Sequence, residues 1–327
     1  KKRKNDSRPQ HGDDRRKAVR ENDPGGEQVL FPVSEDRAGV RIDKCLAELA
    51  DSLSRTYIGK LIQEGRVLAD GRPVKANYKV KAGDMLSVWI PAAETPDILA
   101  EDIPLDILYE DGDLLVVNKP KGMVVHPAPG HYSGTLVNGL LFYCKDSLSG
   151  INGVLRPGIV HRIDRDTTGS LLVCKNDYAH ASIAQQLKDH TITRRYEAIV
   201  HGVLPRDEGT VNAPIGRHVS DRKRMAVDHK NGKEAVTHYR VLKRFRSHTH
   251  IECRLETGRT HQIRVHMSSI GYPLLGDAVY GPGRGNGTLE GQTLHARILG
   301  FVHPRSGAYL ETEAPLPAYF RELLAAL

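Results

Sequence analysis

One polar segment of the sequence concentrates side chains that could do chemistry. Residues 156–169 read RPGIVHRIDRDTTG and directly precede an apolar run, Leu171–Val173. Loops beside buried strands often carry catalytic residues. Asp164 stands between Arg162 and Arg165, and these cations favour its ionised form, in which a carboxylate can act as a nucleophile or as a base. A solvated loop of ion pairs explains the same pattern, and on charge pattern alone it is the simpler interpretation.

Such a loop needs a folded scaffold, and the composition suits one. The chain has 327 residues, 39% hydrophobic and 27% charged, which predicts two ordinary domains with a substantial apolar core. No apolar run approaches the roughly 18 residues that a membrane-spanning helix needs. The four cysteines lie far apart and form no C-x-x-C pair, which is typical of reduced thiols. We therefore expect a cytoplasmic protein.

Positive charge is concentrated near the start of the sequence. Residues 1–20 hold nine Lys or Arg against three Asp, and residues 41–90 hold nine basic against six acidic residues. Residues 1–28 lack an apolar period, so we predict a disordered basic tail there. Such a tail attracts polyanions through counterion release, although a solvated extension that only aids solubility explains the charge equally well.

Residues 29–91 are predicted to form a small domain. Apolar residues recur at helical spacing over 41–50, and Ser54 stands where a helix N-cap belongs, ahead of a second helix that ends at Gly65. Short strands and turns complete the unit. The run from 41 to 86 resembles the alpha-L RNA-binding domain, in which a rigid helix pair presents Lys and Arg to RNA phosphates. The candidate RNA-binding residues of this unit are Arg55, Lys60 and Arg66.

Residues 92–101 form a Pro-containing linker, and residues 102–327 are predicted as one larger domain. Most connections in it are short turns with Gly, Asp or Pro, which favours antiparallel neighbours over βαβ crossovers. We therefore predict an α+β fold with a mainly antiparallel mixed sheet. Helices are expected at 179–189 and 260–270, and strands at 114–118, 170–175, 196–200, 236–242 and 251–255.

Several segments of the larger domain, in the same order, resemble motifs of the RluA-type pseudouridine synthases. The matching segments are DGDLLVVNKP (111–120), HRIDRDTTG (161–169), TRRYEA (193–198), GRTHQIRVH (258–266) and GDAVYG (276–281). Ile163 replaces the Leu of the family motif, which is a conservative change beside Asp164. Together with the alpha-L unit, these segments most resemble the RluD branch of the family.

The resemblance implies a reaction and roles for particular residues. It makes Asp164 the catalytic carboxylate, Tyr196 the active-site tyrosine and Arg264 the cation that pairs with the carboxylate. It makes Arg162 the residue that helps displace the target uridine, which is flipped out of the RNA stack and stacks on Tyr196. Asp164 either attacks C1′ or removes the 2′-proton, and the sequence does not choose between them. The resemblance implies neither a metal nor an organic cofactor.

Other interpretations of these residues stay open on the sequence alone. Tyr196 alternates with apolar strand residues, which is also the pattern of an ordinary core tyrosine, and Arg264 on its predicted helix fits a surface cation. His161 is more simply a structural hydrogen-bonding residue than a general acid or base. His261 and His266 are five residues apart, which does not suit two metal ligands on one helix face. Further candidates for RNA contact are Arg259, Arg222, Lys223 and Arg224.

The sequence as a whole predicts a monomeric RNA pseudouridine synthase. The expected substrate is a stem-loop of large-subunit (23S) ribosomal RNA or its assembly precursor. Two alternatives stay open: a non-catalytic RNA-binding or ribosome-assembly factor, and a synthase that acts on transfer RNA. The presence of Asp164, Tyr196 and Arg264 together argues against the first, because a protein that only binds RNA has no need of that trio.

Overall fold

The computed structural model describes residues 27–50, 53–90, 98–128, 131–145, 147–151, 156–221, 224–282 and 289–327. The chain divides into two compact units, Lys1–Thr95 and Pro96–Leu327. Residues 1–26 of the predicted tail, most of the predicted linker, and the candidates Arg222 and Lys223 lie outside the described residues. Within the described ranges, no helix is both long enough and apolar enough to cross a membrane.

Within the described residues, the first unit combines two α-helices and a short 3-10 helix (Glu35–Arg37) with a small antiparallel sheet. The helices are α1 (Ile42–Leu49) and α2 (Arg55–Gln63). The strands are β1 (Glu27–Pro32), β2 (Val67–Ala69), β3 (Arg72–Pro73) and β4 (Met85–Ile90), in the order β1-β4-β2-β3. Both predicted helices are confirmed, and the Ser54 side chain caps α2 by accepting a hydrogen bond from the Tyr57 backbone N–H at 3.2 Å.

The second unit is built on one large sheet and four helices. Its strands are β5 (Ile107–Glu110), β6 (Leu114–Lys119), β7 (Thr168–Cys174), β8 (Thr193–His201), β9 (Glu208–Asn212), β10 (Ile215–Arg217), β11 (Met225–Val227), β12 (Val236–Arg244), β13 (His248–Leu255), β14 (Leu294–Val302) and β15 (Tyr309–Glu313). Its helices are α3 (Leu136–Cys144), α4 (Asp177–Lys188), α5 (Gln262–Ser269) and α6 (Ala318–Ala326).

The strand order explains how distant segments meet. The nine-stranded sheet runs β5-β6-β7-β14-β8-β13-β12-β9, with β15 paired to β14, while β10 and β11 form a separate pair. Neighbours in the large sheet are antiparallel except β7 and β14, which are parallel at Thr168 and Gly169 opposite His295 and Ala296. The prediction of a mainly antiparallel mixed sheet in an α+β fold is confirmed.

Helices cover both faces of the central strands, which accounts for their apolar sequences. On one face Leu115 and Val117 of β6 join a core cluster with residues of α3 and α5. On the other face Leu114 and Val116 join a cluster with residues of α4. A strand that is buried on both faces is apolar at successive positions rather than at alternate ones, and this is the pattern of the run 114–117. By contrast, the later part of β13 alternates, since Ile251, Cys253 and Leu255 are buried while Glu252 and Arg254 are partly or fully exposed.

Two helices of the second unit were not predicted. The α3 sequence, LVNGLLFYC, is apolar on almost every side, so it carries no helical period. Its start is nevertheless marked by a capping box, in which Thr135 and Asn138 satisfy each other's backbone N–H groups. The second such helix, α6, buries Phe320 against Ile199 of β8. All four cysteines are buried and unpaired, as the sequence predicted.

Candidate active site

Asp164 lies on a loop that is tied down on both sides of it. The Ile163 side chain before it is buried in the core. After it, the backbone carbonyl of Arg165 accepts a hydrogen bond from Lys119 Nζ at 2.9 Å and another from the Gly122 backbone N–H at 3.0 Å. A functional side chain is best oriented when its backbone is fixed by such contacts. The scaffold therefore sets the direction in which the Asp164 carboxylate points.

The Asp164 carboxylate is paired with Arg264, which α5 delivers. Arg264 Nη1 donates to Asp164 Oδ2 at 2.9 Å. Its Nε and Nη2 donate to Asp277 Oδ2 at 2.7 Å and Oδ1 at 3.0 Å. Burial alone would lower the pKa of Arg264, but the hydrogen bonds and charges of the two carboxylates outweigh burial and raise it. The guanidinium is thus a permanent cation between two carboxylates.

His261 stands on the other side of the same carboxylate. Its Nε2 lies 3.9 Å from Asp164 Oδ1, and its Nδ1 lies 2.8 Å from the Tyr280 hydroxyl. That hydroxyl accepts a hydrogen bond from the Met225 backbone N–H at 2.8 Å, so its own hydrogen is free to point at Nδ1. Burial lowers the pKa of His261 and favours a neutral ring. This arrangement indicates the tautomer with hydrogen on Nε2, facing Asp164. The residue adopts a left-handed backbone conformation, with φ 57°, which is strained for a residue with a side chain.

The Asp164 carboxylate opens onto a cleft of about 790 Å³. Tyr196 of β8 lines this cleft beside the apolar side chains of Leu255, Ile263 and Leu294. Burial raises the pKa of Tyr196, so its phenol stays protonated. The cleft therefore offers a flat aromatic ring in an apolar section of its wall, which suits the face of a nucleobase.

The rest of the cleft wall is strongly positive. Among the described residues that line it, one is a carboxylate, Asp164, and six carry Lys or Arg side chains. These six are Arg156, Arg162, Lys188, Arg194, Arg259 and Arg264. A concave surface with one sign of charge attracts a ligand of the opposite sign. The charge of the cleft thus suits a polyanion such as RNA.

The remaining predicted residues of the cleft differ in their surroundings. Arg162 is exposed and lines the cleft. His161 accepts a hydrogen bond at Nε2 from the Leu172 backbone N–H at 2.9 Å, and burial with the charge of Arg194 lowers its pKa to about 3. Arg259 donates through Nε to the Glu234 carbonyl at 2.8 Å. His161 is therefore neutral and fixed to the sheet, which agrees with the structural interpretation.

The other described candidates for RNA contact are not among the residues that line the cleft. Arg55, Lys60 and Arg66 belong to the first unit and are paired with Asp43 or Glu64. Arg224 packs its guanidinium 5.5 Å from the centre of the Tyr280 ring. Arg224 is therefore close to the active site, but it is not among the residues that line the cleft.

A group of possible metal-ligating side chains lies elsewhere in the second unit. Ligand atoms of Asp111, Asp113 and His303 lie within 4.8 Å of one another. However, Arg305 Nε donates to Asp113 at 2.7 Å, and His303 Nε2 lies 2.7 Å from Asp111. These donors already engage the carboxylates, so the group acts as a hydrogen-bonded network that joins the segment after β14 to the start of β6.

Sequence reasoning missed the parts played by several residues of the site. Asp277 lies in a motif noted above, but its two hydrogen bonds to Arg264 required the fold. His261 was considered only as a metal ligand. Lys119 and Arg194 are charged residues with 0% and 7% exposure, and their sequence surroundings gave no sign that they are buried.

A mixed sheet that sets an Asp–Arg pair in a cationic cleft, together with a small helix–sheet unit, defines a class of RNA-modifying enzyme. The chain belongs to the RNA pseudouridine synthase family. The family model described as RNA pseudouridylate synthase matches residues 113–269, and the S4 domain model matches residues 40–86. The predicted family, enzyme class and RNA-binding type of the first unit are therefore confirmed.

Comparison with individual proteins shows which members of the family this chain resembles. The chain is 57% identical to RNA pseudouridine synthase YlyB of Bacillus subtilis, over 91% of this chain and 97% of the relative. It is 47% identical to ribosomal large subunit pseudouridine synthase D of Pseudomonas aeruginosa, over 92% of this chain and 96% of that protein. Human RNA pseudouridylate synthase domain containing 1 is 26% identical, with a TM-score of 0.53 over 69% of this chain and 96% of the human chain.

Proposed function

We propose that this synthase isomerises uridine in large-subunit (23S) ribosomal RNA, with Asp164 as its catalytic carboxylate. The observation that carries the proposal is the Asp164–Arg264 ion pair, at 2.9 Å, on the wall of a cleft with six cationic side chains. The ribosomal target is supported by relatives named ribosomal large subunit pseudouridine synthase D, which are 44–50% identical to this chain.

The reaction breaks one bond to the ribose and makes another. The N1–C1′ glycosidic bond of uridine breaks, the uracil turns, and C5 bonds to C1′. C5 then loses its proton, while N1 ends with one, so atoms and electrons balance without an oxidant or reductant. For this reason the proposal includes no cofactor. Asp164 begins the reaction either by attacking C1′ or by removing the 2′-proton.

Each side chain of the cleft has a separate part in this scheme. A stacked base cannot turn, so the target uridine is flipped into the cleft, and the exposed Arg162 fills the gap that it leaves in the RNA. Tyr196 stacks on the flipped uracil and retains it after the glycosidic bond breaks. Arg264 holds the carboxylate ionised and oriented through a charge-assisted hydrogen bond.

The first unit contributes contacts to RNA phosphates. Asp43 accepts hydrogen bonds from Nε and Nη2 of both Arg41 and Arg55 at 2.9–3.1 Å. Asp43 is 7% exposed, whereas the two arginine side chains are half-exposed. A single carboxylate cannot neutralise two guanidinium groups, so the pair keeps a net positive charge. The two guanidinium groups are held side by side, so both can donate hydrogen bonds to one phosphate. Lys60 and Arg66 add positive charge to this surface.

The test is to map pseudouridines in ribosomal and transfer RNA of cells that lack the protein. The cells are then complemented with wild type, Asp164→Asn or Asp166→Asn. Asp166 belongs to the same loop but does not line the cleft, so its variant is the matched control. We expect wild type and the control to restore the missing sites in 23S RNA, and Asp164→Asn to restore none.

Two results would contradict parts of the proposal. Full restoration by Asp164→Asn would remove the assigned catalytic role and would favour an RNA-binding assembly factor. Loss of pseudouridine from transfer RNA alone would move the substrate to that class while leaving the role of Asp164 intact.

A further inference from the structure

Arg194 is a buried cation on the wall of the catalytic cleft. It lies on β8, two residues before Tyr196, and is 7% exposed. Its Nη2 donates to the Glu256 carbonyl at 3.0 Å. Its Nε is buried and has no hydrogen-bond partner among the described residues. The Nη1 N–H groups also have no hydrogen-bond partner among the described residues, and unlike Nε they are not buried, so they are the donors that an occupant of the cleft can reach.

Arg194 also lacks a counter-ion. Within the described part of the chain, no carboxylate forms a salt bridge with it, in contrast to Arg264, which has two. Burial lowers the pKa of Arg194 most, Tyr196 opposes this shift, and repulsion from the cation Arg259 adds to it. Nearby His161 is held neutral by burial. The one carboxylate among the described residues that line the cleft, Asp164, is paired with Arg264 and not with Arg194.

An uncompensated buried cation is costly, so its position calls for an explanation. Transfer of a charged side chain out of water costs several kcal/mol unless a partner offsets it. Its neighbour on the strand, Arg195, does not bear this cost, because it pairs with Glu311 at 3.1 Å and remains partly exposed. Functional sites are where such unfavourable arrangements are retained.

We infer that Arg194 is the core of a phosphate-binding subsite, which takes one backbone phosphate of the RNA next to the target uridine. The inference rests on the proposed function, because it takes RNA as the occupant of the cleft. A phosphate supplies the missing negative charge and can accept two parallel hydrogen bonds from one guanidinium. Uracil carbonyls are neutral acceptors and would leave the charge uncompensated. Gly258 lies against the guanidinium, and a Cβ on it would lie 2.5 Å from Arg194 Nη1, so a side chain at residue 258 would overlap with this group.

The subsite can be tested by pairing protein variants with single neutral linkages in RNA. The probe is a synthetic stem-loop that contains the mapped target uridine, with one methylphosphonate at a time at each phosphate within two nucleotides of it. Binding is measured in an Asp164→Asn background, so that turnover does not interfere. The variants are Arg194→Gln and Arg194→Lys, with Arg195→Gln as the control that also loses one positive charge from β8.

We expect Arg194→Gln to weaken binding of the unmodified RNA at least tenfold, Arg194→Lys to weaken it less, and Arg195→Gln to change it less than twofold. A methylphosphonate at one particular linkage should weaken binding to the parent protein by about the same factor as Arg194→Gln does. The same methylphosphonate should not weaken the binding of RNA to the Arg194→Gln variant any further. The inference would be overturned if Arg194→Gln weakened the binding of every RNA, including each methylphosphonate RNA, by the same factor. The guanidinium would then contact something other than a phosphate.

Thermal unfolding of the same variants separates binding from folding. Because Arg194→Gln removes an unpaired buried charge, we expect its melting temperature to equal or exceed that of the parent. A lower melting temperature combined with unchanged affinity would assign Arg194 to the stability of the fold and overturn the subsite. Failure of the catalytic proposal gives a different result, namely restoration of pseudouridine by Asp164→Asn, and leaves this binding comparison interpretable.

Discussion

Asp277 holds Arg264 in place with two hydrogen bonds, 2.7 Å and 3.0 Å long, and leaves its Nη1 free to reach Asp164. Asp277 is 2% exposed, and its Oδ1 also accepts the backbone N–H groups of Val279 and Tyr280. Burial alone would raise the pKa of Asp277, but these hydrogen bonds and the charge of Arg264 lower it. The Asp164–Arg264 pair is therefore supported by a second ion pair behind it.

Removing the charge of Asp277 should slow catalysis without abolishing RNA binding. Asp277→Asn keeps the shape of the side chain but weakens its hold on Arg264, so the Asp164 carboxylate loses its fixed partner. Loss of such a supporting contact typically costs about 10–100-fold in activity. We expect kcat to fall by that factor, while the affinity for substrate RNA in a binding assay changes less than about threefold. An unchanged kcat would show that Arg264 is held by the helix alone.

The sequence allowed the Asp164 loop to be proposed as a site but did not allow prediction of the network that supports it. Asp164, Tyr196 and Arg264 each lie in a short, continuous sequence motif. The regular spacing of apolar residues also predicted the helices that contain or flank these motifs. The bond from Arg264 to Asp277 instead depends on how the segment after α5 turns back. The left-handed backbone of His261 likewise follows from packing around Tyr280 rather than from local preference, which disfavours that conformation.

The position of β14 could not be predicted for a related reason. Its parallel pairing joins Gly169 to Ala296 across a long stretch of sequence, and no local pattern specifies such a partner. The burial of Lys119 could not be predicted from the sequence either. A lysine between an apolar run and a proline is typical of a strand end at the surface, yet this one is fully buried because three backbone carbonyls converge on its Nζ.

Lys119 should make the stability of the fold depend on pH in the alkaline range. Burial lowers its pKa from 10.5 to about 7. Between these values the unfolded chain binds a proton that the folded chain does not. The free energy of unfolding should therefore rise with pH from about 7 to 10.5, by up to about 1.4 kcal/mol per pH unit.

The measurement is urea unfolding of wild type and Lys119→Met at several pH values. The variant loses the hydrogen bonds of Lys119, which shifts its stability at every pH, so only the change of the difference with pH is informative. We expect the wild type to gain stability relative to Lys119→Met as the pH rises. A difference that stays constant from pH 7 to 10 would show that Lys119 keeps an ordinary pKa in the folded protein.

The arginine pair of the first unit predicts a specific effect on RNA binding. Arg55→Gln should remove about one phosphate contact, lowering the slope of log K against log salt by about one. Arg37→Gln is the charge-matched control, because Arg37 belongs to the same unit but pairs with Glu48 at 3.2 Å. Equal changes of slope in the two variants would indicate a general effect of net charge rather than a contact.

Gly169 is predicted to be essential for the junction between β7 and β14. Its φ is +104°, and a Cβ there would lie 2.3 Å from the Ala296 carbonyl oxygen. Gly169→Ala should therefore destabilise the protein by roughly 2–5 kcal/mol, from backbone strain together with steric overlap. Gly112→Ala is the control, since no atom lies within 4 Å of its added Cβ. Thermal unfolding should separate the two variants by several degrees.

The place of β14 in the sheet also affects the order in which parts of the enzyme can fold during synthesis on the ribosome. Domains fold as units during synthesis, with the N-terminal part first, so the small first unit can fold while the rest is still being translated. The loop of Asp164 leads into β7, and Tyr196 lies on β8. In the sheet β14 separates these two strands, although it is made after both of them. A nascent chain can thus acquire its RNA-binding unit well before its candidate active site, which cannot be assembled until β14 has been made.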